Sequence, residues 1–373
     1  MTSSNVRLIG RSGQLSSFWI LLLPFVALPY LLLQRHGRYL SSSPYALTEH
    51  GILPFSPSRQ ELYTYVPPRK RTTIEKVNDS LYCGEGPGYD KYFELGNRER
   101  AAEDEDRIIY KVFFEPLLYP TKKQSEDDDD SIMSHAVALA AAAYNNTAFI
   151  YVEVGAYDGV SESTTRFFDL CLGWQGLLIE ANPMIFPHMR ANRQTAHRMN
   201  MAATCSQADE VSNRKVGFSK VKWTNAALTD ESPIRNAYLG KADVRVEVPC
   251  GSLTTPLVDL FGLKEGPNRG TAHVHFLSVD VSGAEELVLR FLDFEKVFVD
   301  IVLVDQTNRY CKKCESRRKT KAMMAEAGYG LYQSIVPTLD VYVHSRSPFA
   351  EMAALEEKKA IQSSKSDATT ENP

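Results

Sequence analysis

The fold is decided by the sequence YVEVGAYDG at residues 151–159, which the sequence GLLIE at residues 176–180 follows after one helix-length segment. Each stretch predicts a buried apolar strand that ends beside an acid. Because glycine has no side chain, the loop after the first strand allows backbone N–H groups to approach a ligand closely. At the end of the second strand, Glu180 is placed to accept hydrogen bonds from ribose hydroxyls. The two stretches together predict a nucleotide-type cofactor site.

The bulk composition is that of an ordinary globular protein. The chain has 373 residues, of which 43% are hydrophobic and 24% charged, and this length allows one large or two modest domains. Its formal net charge of −4 gives no global attraction to nucleic acid or to an anionic membrane surface. A nucleic-acid partner is therefore not expected.

The N-terminus departs from this globular pattern. After a short tail over residues 1–17, residues 18–33 form an apolar run that only Pro24 and Pro29 interrupt. As a helix this run spans about 24 Å, slightly less than a hydrocarbon core of about 30 Å. We expect an uncleaved signal anchor that holds the protein in a membrane. A cleaved signal peptide is the alternative, with Ser41 and Ser43 near a small-residue cleavage site.

The cysteines and the glycosylation sequons help to indicate on which side of the membrane the globular part of the chain lies. Sequons begin at Asn78 and Asn145, and the six cysteines are Cys83, Cys171, Cys205, Cys250, Cys311 and Cys314. Both features are compatible with an oxidising compartment, although neither decides the matter alone. With the anchor, they favour a single-pass membrane protein of the secretory pathway, in the Golgi or endoplasmic reticulum, with a lumenal catalytic domain.

The rest of the chain divides by composition. Residues 34–120 are expected to be a stem or loosely ordered lead-in, and residues 350–373 a tail that begins as one helix and is partly disordered. Between them, residues 131–345 alternate strand-like and helix-like segments, which predicts an α/β fold with a mostly parallel sheet and helices on both faces. The predicted main strands are 149–154, 176–180, 198–204, 275–281, 299–305 and 336–344. The predicted helices are 131–144, 162–172, 184–193, 284–291 and 316–327, and short strands over 216–228 and 244–248 form an insertion.

Acids follow several of these strands. Parallel strands present their carboxyl ends at one edge of a sheet, so Glu153, Glu180 and Asp280 are expected to converge there. Tyr157 stands where a dinucleotide fingerprint has its middle glycine, which favours a cofactor without phosphates. A metal site is not expected, because the acidic run over 126–130 lacks the spacing of a coordination cage.

Several blocks, in order, resemble the FkbM-type S-adenosylmethionine-dependent methyltransferases. They are EVGAYDG at 153–159, LGWQGLLIEANP at 172–183, NR at 192–193, NMAA at 200–203, VPC at 248–250 and FLSVDV at 276–281. The resemblance covers about residues 151–342 and implies a Rossmann-like class I methyltransferase fold with S-adenosyl-L-methionine as cofactor. Its glycine loop would hold the methionine portion, and Glu180 the ribose. The cofactor-binding residues implied are Glu153, Gly155, Tyr157, Asp158, Gly159, Glu180 and Ala203.

Two departures from the family pattern affect the expected chemistry. Ser282 stands where the family usually has a glutamate, and Asp305 where it usually has the longer Glu. If the missing glutamate acts on the acceptor hydroxyl, Asp280 or Asp305 must serve as the base, and both are our catalytic candidates. The structural alternative for Asp280 is a carboxylate that caps a helix or holds a loop.

Three functions follow from these features. The first is an O-methyltransferase that acts on a hydroxyl of a glycan or small-molecule lumenal acceptor. The second is a membrane-anchored trafficking adaptor, similar to Star-type proteins, in which the fold is a binding module. The third is a cytosolic methyltransferase on a membrane tether, with reduced cysteines.

One pair of cysteines is expected to form a disulfide, and the state of another pair is left open. Membrane-anchored relatives imply a Cys205–Cys250 disulfide, whereas Cys311 and Cys314 are either a local disulfide or free thiols. Neither the acceptor, expected to bind near the insertion over 207–246, nor the oligomeric state can be inferred from the sequence.

Overall fold

The computed structural model describes residues 63–84, 88–96, 98–120, 128–144, 147–219, 227–228, 245–305 and 315–370. The strands are β1 (Thr64–Val66), β2 (Ile150–Val154), β3 (Gln175–Ile179), β4 (His197–Asn200), β5 (Lys215–Ser219), β6 (Ala227–Leu228), β7 (Arg245–Pro249), β8 (Ala272–Val279), β9 (Val297–Val304), β10 (Tyr329–Tyr332) and β11 (Asp340–His344). The helices are α1 (Thr73–Cys83), α2 (Asp90–Phe93), α3 (Glu105–Ile109), α4 (Glu115–Leu118), α5 (Asp128–Ala143), α6 (Arg166–Leu170), α7 (Phe186–Asn192), α8 (Gln207–Val211), α9 (Thr254–Phe261), α10 (Glu285–Arg290), α11 (Glu315–Glu326) and α12 (Ala350–Thr370). A π-helical turn, Tyr110–Phe114, joins α3 to α4.

The main sheet has eight strands in the order β1-β4-β3-β2-β8-β9-β11-β10. Strands β4, β3, β2, β8 and β9 are mutually parallel, whereas β1, β11 and β10 each pair antiparallel with a neighbour. From β2 the chain builds outward through β3 and β4, then returns to build β8 and β9 on the other side. The resulting switch in strand order lies between β2 and β8, where open α/β sheets bind their ligands.

Both faces of this sheet are covered, because successive side chains along a strand point to opposite sides. Tyr151 packs on one face with residues from α5, α6, α7 and α12, and Val152 packs on the other with residues from α9, α10 and α11. The predicted α/β fold with a mostly parallel, helix-covered sheet is confirmed. A small sheet, β6-β5-β7, occupies part of the predicted insertion before β8.

The lead-in is more ordered than its composition indicates. Its strand β1 extends the main sheet by pairing antiparallel with β4, and helix α1 is joined to the end of α6 by a Cys83–Cys171 disulfide. Aromatic rings from α2 and the π-helical turn pack against Phe167, which is fully buried. These contacts are made with residues far along the chain, and local composition does not reveal them.

The predicted anchor over residues 18–33 lies outside the described residues, so the structure lends it no support. Within the part of the chain that is described, no helix is both long enough and apolar enough to cross a membrane. The tail predicted over residues 350–373 is the helix α12 as far as Thr370.

Candidate functional site

The predicted site residues lie along one edge of the sheet. Gly155 to Gly159 follow β2, Glu180 follows β3, Ala203 lies three residues past β4, Asp280 follows β8 and Asp305 follows β9. A narrow cleft of about 20 Å³ lies between the ends of β2, β3 and β4. Its lining residues are Val154, Gly155, Ile179, Glu180, Ala181, Met201, Ala202, Ala203, Thr204 and Val281. A nucleoside enters this cleft only if its walls open.

Gly155 is required by the protein itself at the switch in strand order. Its φ is +91°, and a Cβ at this position would lie 1.7 Å from the carbonyl oxygen of Asp280. The absence of a side chain therefore allows the end of β2 to pass directly beside the end of β8. The N–H groups of Gly155 and Ala156 both donate to the carbonyl of Ile179, at 2.9 and 3.0 Å. Both amides are therefore already hydrogen-bonded within the protein, and the cofactor-binding role of Gly155 stays a prediction.

The rest of the loop is held by its own hydrogen bonds. Tyr157 and Gly159 have positive φ values of 48° and 77°, so the chain turns sharply at both positions. The carboxylate of Asp158 accepts hydrogen bonds from the N–H groups of Val160 and Ser161, at 2.9 and 2.7 Å. Asp158 thus shapes the turn, which is a common role for aspartate in loops.

Glu153 points away from the cleft and into the protein. Its side chain is 5% exposed and accepts hydrogen bonds from Ser163 Oγ at 2.8 Å, Thr164 N at 3.0 Å and Thr165 Oγ1 at 2.5 Å. Burial raises the pKa of Glu153, while the nearby guanidinium of Arg193 opposes that rise. Any contribution of Glu153 to a cofactor is therefore made through the loop that it holds.

Glu180 is the residue best placed to meet a nucleoside. It lines the cleft, and its two carboxylate oxygens accept one hydrogen bond each, from Tyr157 N at 2.8 Å and Asn182 N at 2.6 Å. A carboxylate has about four acceptor sites, so these two bonds leave capacity for ribose hydroxyls. The side chain is 1% exposed, and burial raises its pKa to about 7. Its chemistry fits the ribose of S-adenosylmethionine.

Ala203 lines the opposite wall of the cleft and is buried. The predicted Cys205–Cys250 disulfide is confirmed and lies behind this wall, with 5.6 Å between the two Cα atoms. A short parallel bridge also joins Ala202 to Cys250. This wall of the cleft is therefore tied covalently to the strand β7.

Asp280 differs from the other acids because its carboxylate is not engaged by the protein. Its side chain is exposed at the open edge, and it makes no hydrogen bond to any described residue. The protein around this carboxyl group is nevertheless densely packed. The resulting desolvation, and to a smaller extent repulsion from neighbouring carboxylates, raises the pKa of Asp280 well above its usual value. The acids involved are Asp305, Glu285, Glu153 and Glu162.

The loop-holding role considered for Asp280 is filled by Glu285. Glu285 Oε1 accepts hydrogen bonds from Gly283 N at 2.8 Å and Val281 N at 3.3 Å, and burial raises the pKa of Glu285 to about 7. Between these amides Ser282 adopts a φ of 52°, an uncommon conformation for a residue with a side chain. Asp305 continues β9 beyond Val304 and donates its N–H to Val279 O at 3.0 Å. Residues 306–314, including Cys311 and Cys314, lie outside the described residues.

A further cavity lies elsewhere, and its position argues against a role in the reaction. It has a volume of about 930 Å³ and lies at the amino ends of β3 and β4, where it is lined by Arg71, Trp174 and His197 among others. The predicted site lies at the carboxyl ends of the same strands. Arg71 in this cavity is paired with Asp79 and Asp169, at 3.2 and 2.9 Å.

Among the described residues, one partly buried cluster resembles a metal site by residue type. His273, His275 and Asp300 bring potential ligand atoms within 4.8 Å of one another. However, Nδ1 of His275 accepts a hydrogen bond from Ile150 N at 2.9 Å, and burial lowers the pKa of His275 to about 4. The neutral ring therefore carries its proton on Nε2, and coordination through Nε2 would need that position deprotonated. The donor set does not fit a metal ion.

The strand order and the helices on both faces of a mostly parallel sheet are those of a Rossmann-like α/β fold. The family model for the methyltransferase FkbM domain matches residues 153–331. The chain therefore carries an FkbM methyltransferase domain, and this supports a methyltransferase activity in general terms. No curated protein is similar enough to the chain to count as a match.

Two features of the structure were not predicted from the sequence. One is Arg193, noted only as part of a family block, which is 3% exposed and donates to Gly159 O and Ser163 Oγ at and just after the end of the glycine turn. The other is the Cys83–Cys171 disulfide. A lone arginine near the end of a predicted helix gives no local signal of burial, and cysteine pairing across 88 residues cannot be deduced from spacing.

Proposed function

We propose that this protein is an S-adenosylmethionine-dependent O-methyltransferase that acts on a hydroxyl of a glycan or other lumenal acceptor. The observation that carries the proposal is the contrast between two acids on one edge of an FkbM domain. Glu180 is buried, hydrogen-bonded and faces the cleft, whereas the side chain of Asp280 is exposed on the same edge of the sheet and makes no hydrogen bond to a described residue. The first suits a binding group and the second a reacting group.

When bound, the cofactor supplies a methyl group already activated on a sulfonium sulfur. The chain then has to position the acceptor hydroxyl and remove its proton. Asp280 is the leading base because its carboxylate is exposed at the edge of the sheet and accepts no hydrogen bond from a described residue, and Asp305 is the second candidate. Glu180 and the turn after β2 would hold the ribose and the methionine portion.

The experiment is transfer of labelled methyl groups to lumenal glycans and free oligosaccharides by the wild-type protein, Asp280→Asn and Asp305→Asn. Loss of a general base typically costs about 10²-fold to about 10⁴-fold in rate, and we expect this for Asp280→Asn with cofactor binding retained. Glu295→Gln, an exposed acid at the opposite end of the sheet, is the matched control. Equal rates for Asp280→Asn and the wild type would remove Asp280 from the mechanism.

A trafficking adaptor is the second candidate, and the observation that favours it is Ser282 in place of the family glutamate. In that function the domain would bind a partner without turning over a cofactor. Calorimetry with S-adenosylmethionine separates the two functions, because an adaptor that has lost the site would give no heat of binding.

The placement in the secretory pathway, as a single-pass membrane protein with a lumenal domain, is supported by the two disulfides among the described residues. A protein kept in the cytosol would have these cysteines reduced. Asn78 of the first sequon is exposed on α1, so a glycan has access to it. Treatment of the expressed protein with peptide N-glycosidase should reduce its apparent mass, and the Asn78→Gln variant should show a smaller shift. No change in the wild type would favour the tethered cytosolic enzyme.

A further inference from the structure

Arg193 is the centre of a buried ionic network directly beneath the glycine turn. It lies at the end of α7, its side chain is 3% exposed, and its guanidinium uses all three nitrogens. Nε donates to Asp169 Oδ2 at 2.8 Å, and one terminal nitrogen donates to Tyr151 Oη at 2.9 Å. The other terminal nitrogen donates to the carbonyl of Gly159 at 3.0 Å and to Ser163 Oγ at 3.1 Å.

These bonds fix the position where the turn after β2 ends. A Cβ on Gly159 would lie 2.6 Å from Cγ of Arg193, so the arginine stem packs tightly against the turn. Arg193 also lies 3.9 Å from Glu153, whose carboxylate accepts hydrogen bonds from Ser163 and Thr165 just after the same turn. A buried cation and a buried anion therefore hold the end of the turn together.

The network continues into the lead-in. Asp169 accepts a hydrogen bond from Arg193 at Oδ2, at 2.8 Å, and another from Arg71 at Oδ1, at 2.9 Å. Arg71 also donates to the carbonyls of Asp169 and Leu170, at 2.6 and 2.9 Å. The Cys83–Cys171 disulfide then fixes α1 two residues beyond Asp169. A continuous chain of charged contacts therefore joins the lead-in to the cofactor loop.

We propose that Arg193 is a positioning residue for the cofactor loop, and that Arg71 of the lead-in supports it through Asp169. The affinity for S-adenosylmethionine then depends on a segment that precedes the FkbM domain. Two arginines face three acids in this network, Glu153, Asp169 and Asp79, so loss of one forked guanidinium leaves an acid without its full set of donors. The inference rests on the proposed function, because it assumes that the loop binds the cofactor.

The test compares Arg193→Lys and Arg71→Lys with Arg190→Lys, a matched control on the exposed side of α7. Lysine keeps the charge but cannot donate in the forked geometry of arginine. For Arg193→Lys we expect a Kd for S-adenosylmethionine about ten-fold weaker by calorimetry, equivalent to about 1.4 kcal/mol. For Arg71→Lys, which acts one residue further away, we expect a loss of about three-fold. The KM for the cofactor should rise with kcat unchanged, and Arg190→Lys should match the wild type.

A second readout does not need the cofactor. Amide hydrogen exchange in residues 155–161 should be faster in Arg193→Lys than in Arg190→Lys, while exchange in β8 stays the same. Wild-type affinity and unchanged exchange in Arg193→Lys would overturn the inference. If the wild-type protein itself binds no cofactor, the proposed function fails and the claim about affinity fails with it. In that case the exchange data still show whether Arg193 positions the loop.

Discussion

Gly155→Ala is the sharpest single test of the packing at the switch in strand order. The new Cβ would lie 1.7 Å from Asp280 O and 2.8 Å from Asp280 C, whereas ordinary contact begins at 3.4 Å. The strand ends must separate by more than an ångström, which breaks the hydrogen bond from Asp280 N to Val154 O at 3.0 Å. A φ of +91° adds about 1 to about 2 kcal/mol for any residue with a Cβ. With the lost hydrogen bond of about 1 kcal/mol and the strain of separation, we expect about 4 kcal/mol of destabilisation.

Gly266→Ala is the matched control, because its φ of +86° is nearly the same and a Cβ there meets nothing within 4 Å. Gly266→Ala should be destabilised only by the backbone strain of a positive φ, which is about 1 kcal/mol. At about 2 °C per kcal/mol for a domain of this size, thermal melting should fall by about 8 °C for Gly155→Ala and about 2 °C for the control. Calorimetry should also show weaker cofactor binding for Gly155→Ala alone. Equal melting temperatures and equal affinities for the two variants would refute this account of Gly155.

The remaining predictions concern pH and redox state. Burial raises the pKa of Glu180 from 4.5 to about 7, so between these values the folded protein binds a proton that the unfolded chain has released. The free energy of unfolding should therefore fall as pH rises through this window, and urea titrations of Glu180→Gln should show a smaller fall. Replacing Cys205 and Cys250 with Ser should cost about 4 kcal/mol, since the bond closes a loop across a separation of 45 residues, and the Cys83 and Cys171 pair should cost a similar amount. Loss of the Cys205–Cys250 pair, which lies beside the cleft, should weaken cofactor binding more than loss of the Cys83–Cys171 pair; equal binding by both double variants would contradict that.

The sequence predicts the central strands well because they are buried on both faces. Strands β2, β3, β8 and β9 are mostly apolar runs that an acid or a glycine follows at once, and such runs are typical of parallel sheets. Strands β1 and β10 were not predicted. Strand β1 has only three residues and β10 contains Gly330, so neither shows a clear alternation of apolar and polar residues. The strand predicted from residue 336 begins at Asp340, since Pro337 has no N–H for the ladder.

For the site, the sequence predicts which acids meet at one edge but not what each contacts. The helix predicted over 162–172 is only Arg166–Leu170, because Ser163 and Thr165 bond to Glu153 instead. That same contact turns Glu153 inward and away from the cleft. The roles of Glu285 and Arg193 likewise depend on three-dimensional partners, and a single sequence does not identify them.

The central claim is that the edge formed by β2, β3 and β8 binds S-adenosylmethionine. Calorimetric titration of the full-length wild-type protein with this cofactor tests it most directly, beside Glu180→Ala, which removes the ribose-type acid. We predict one site per chain in the wild type, competition by S-adenosylhomocysteine, and loss of binding in Glu180→Ala. A wild-type protein that gives no heat, or a Glu180→Ala variant that binds as tightly as the wild type, would contradict the claim.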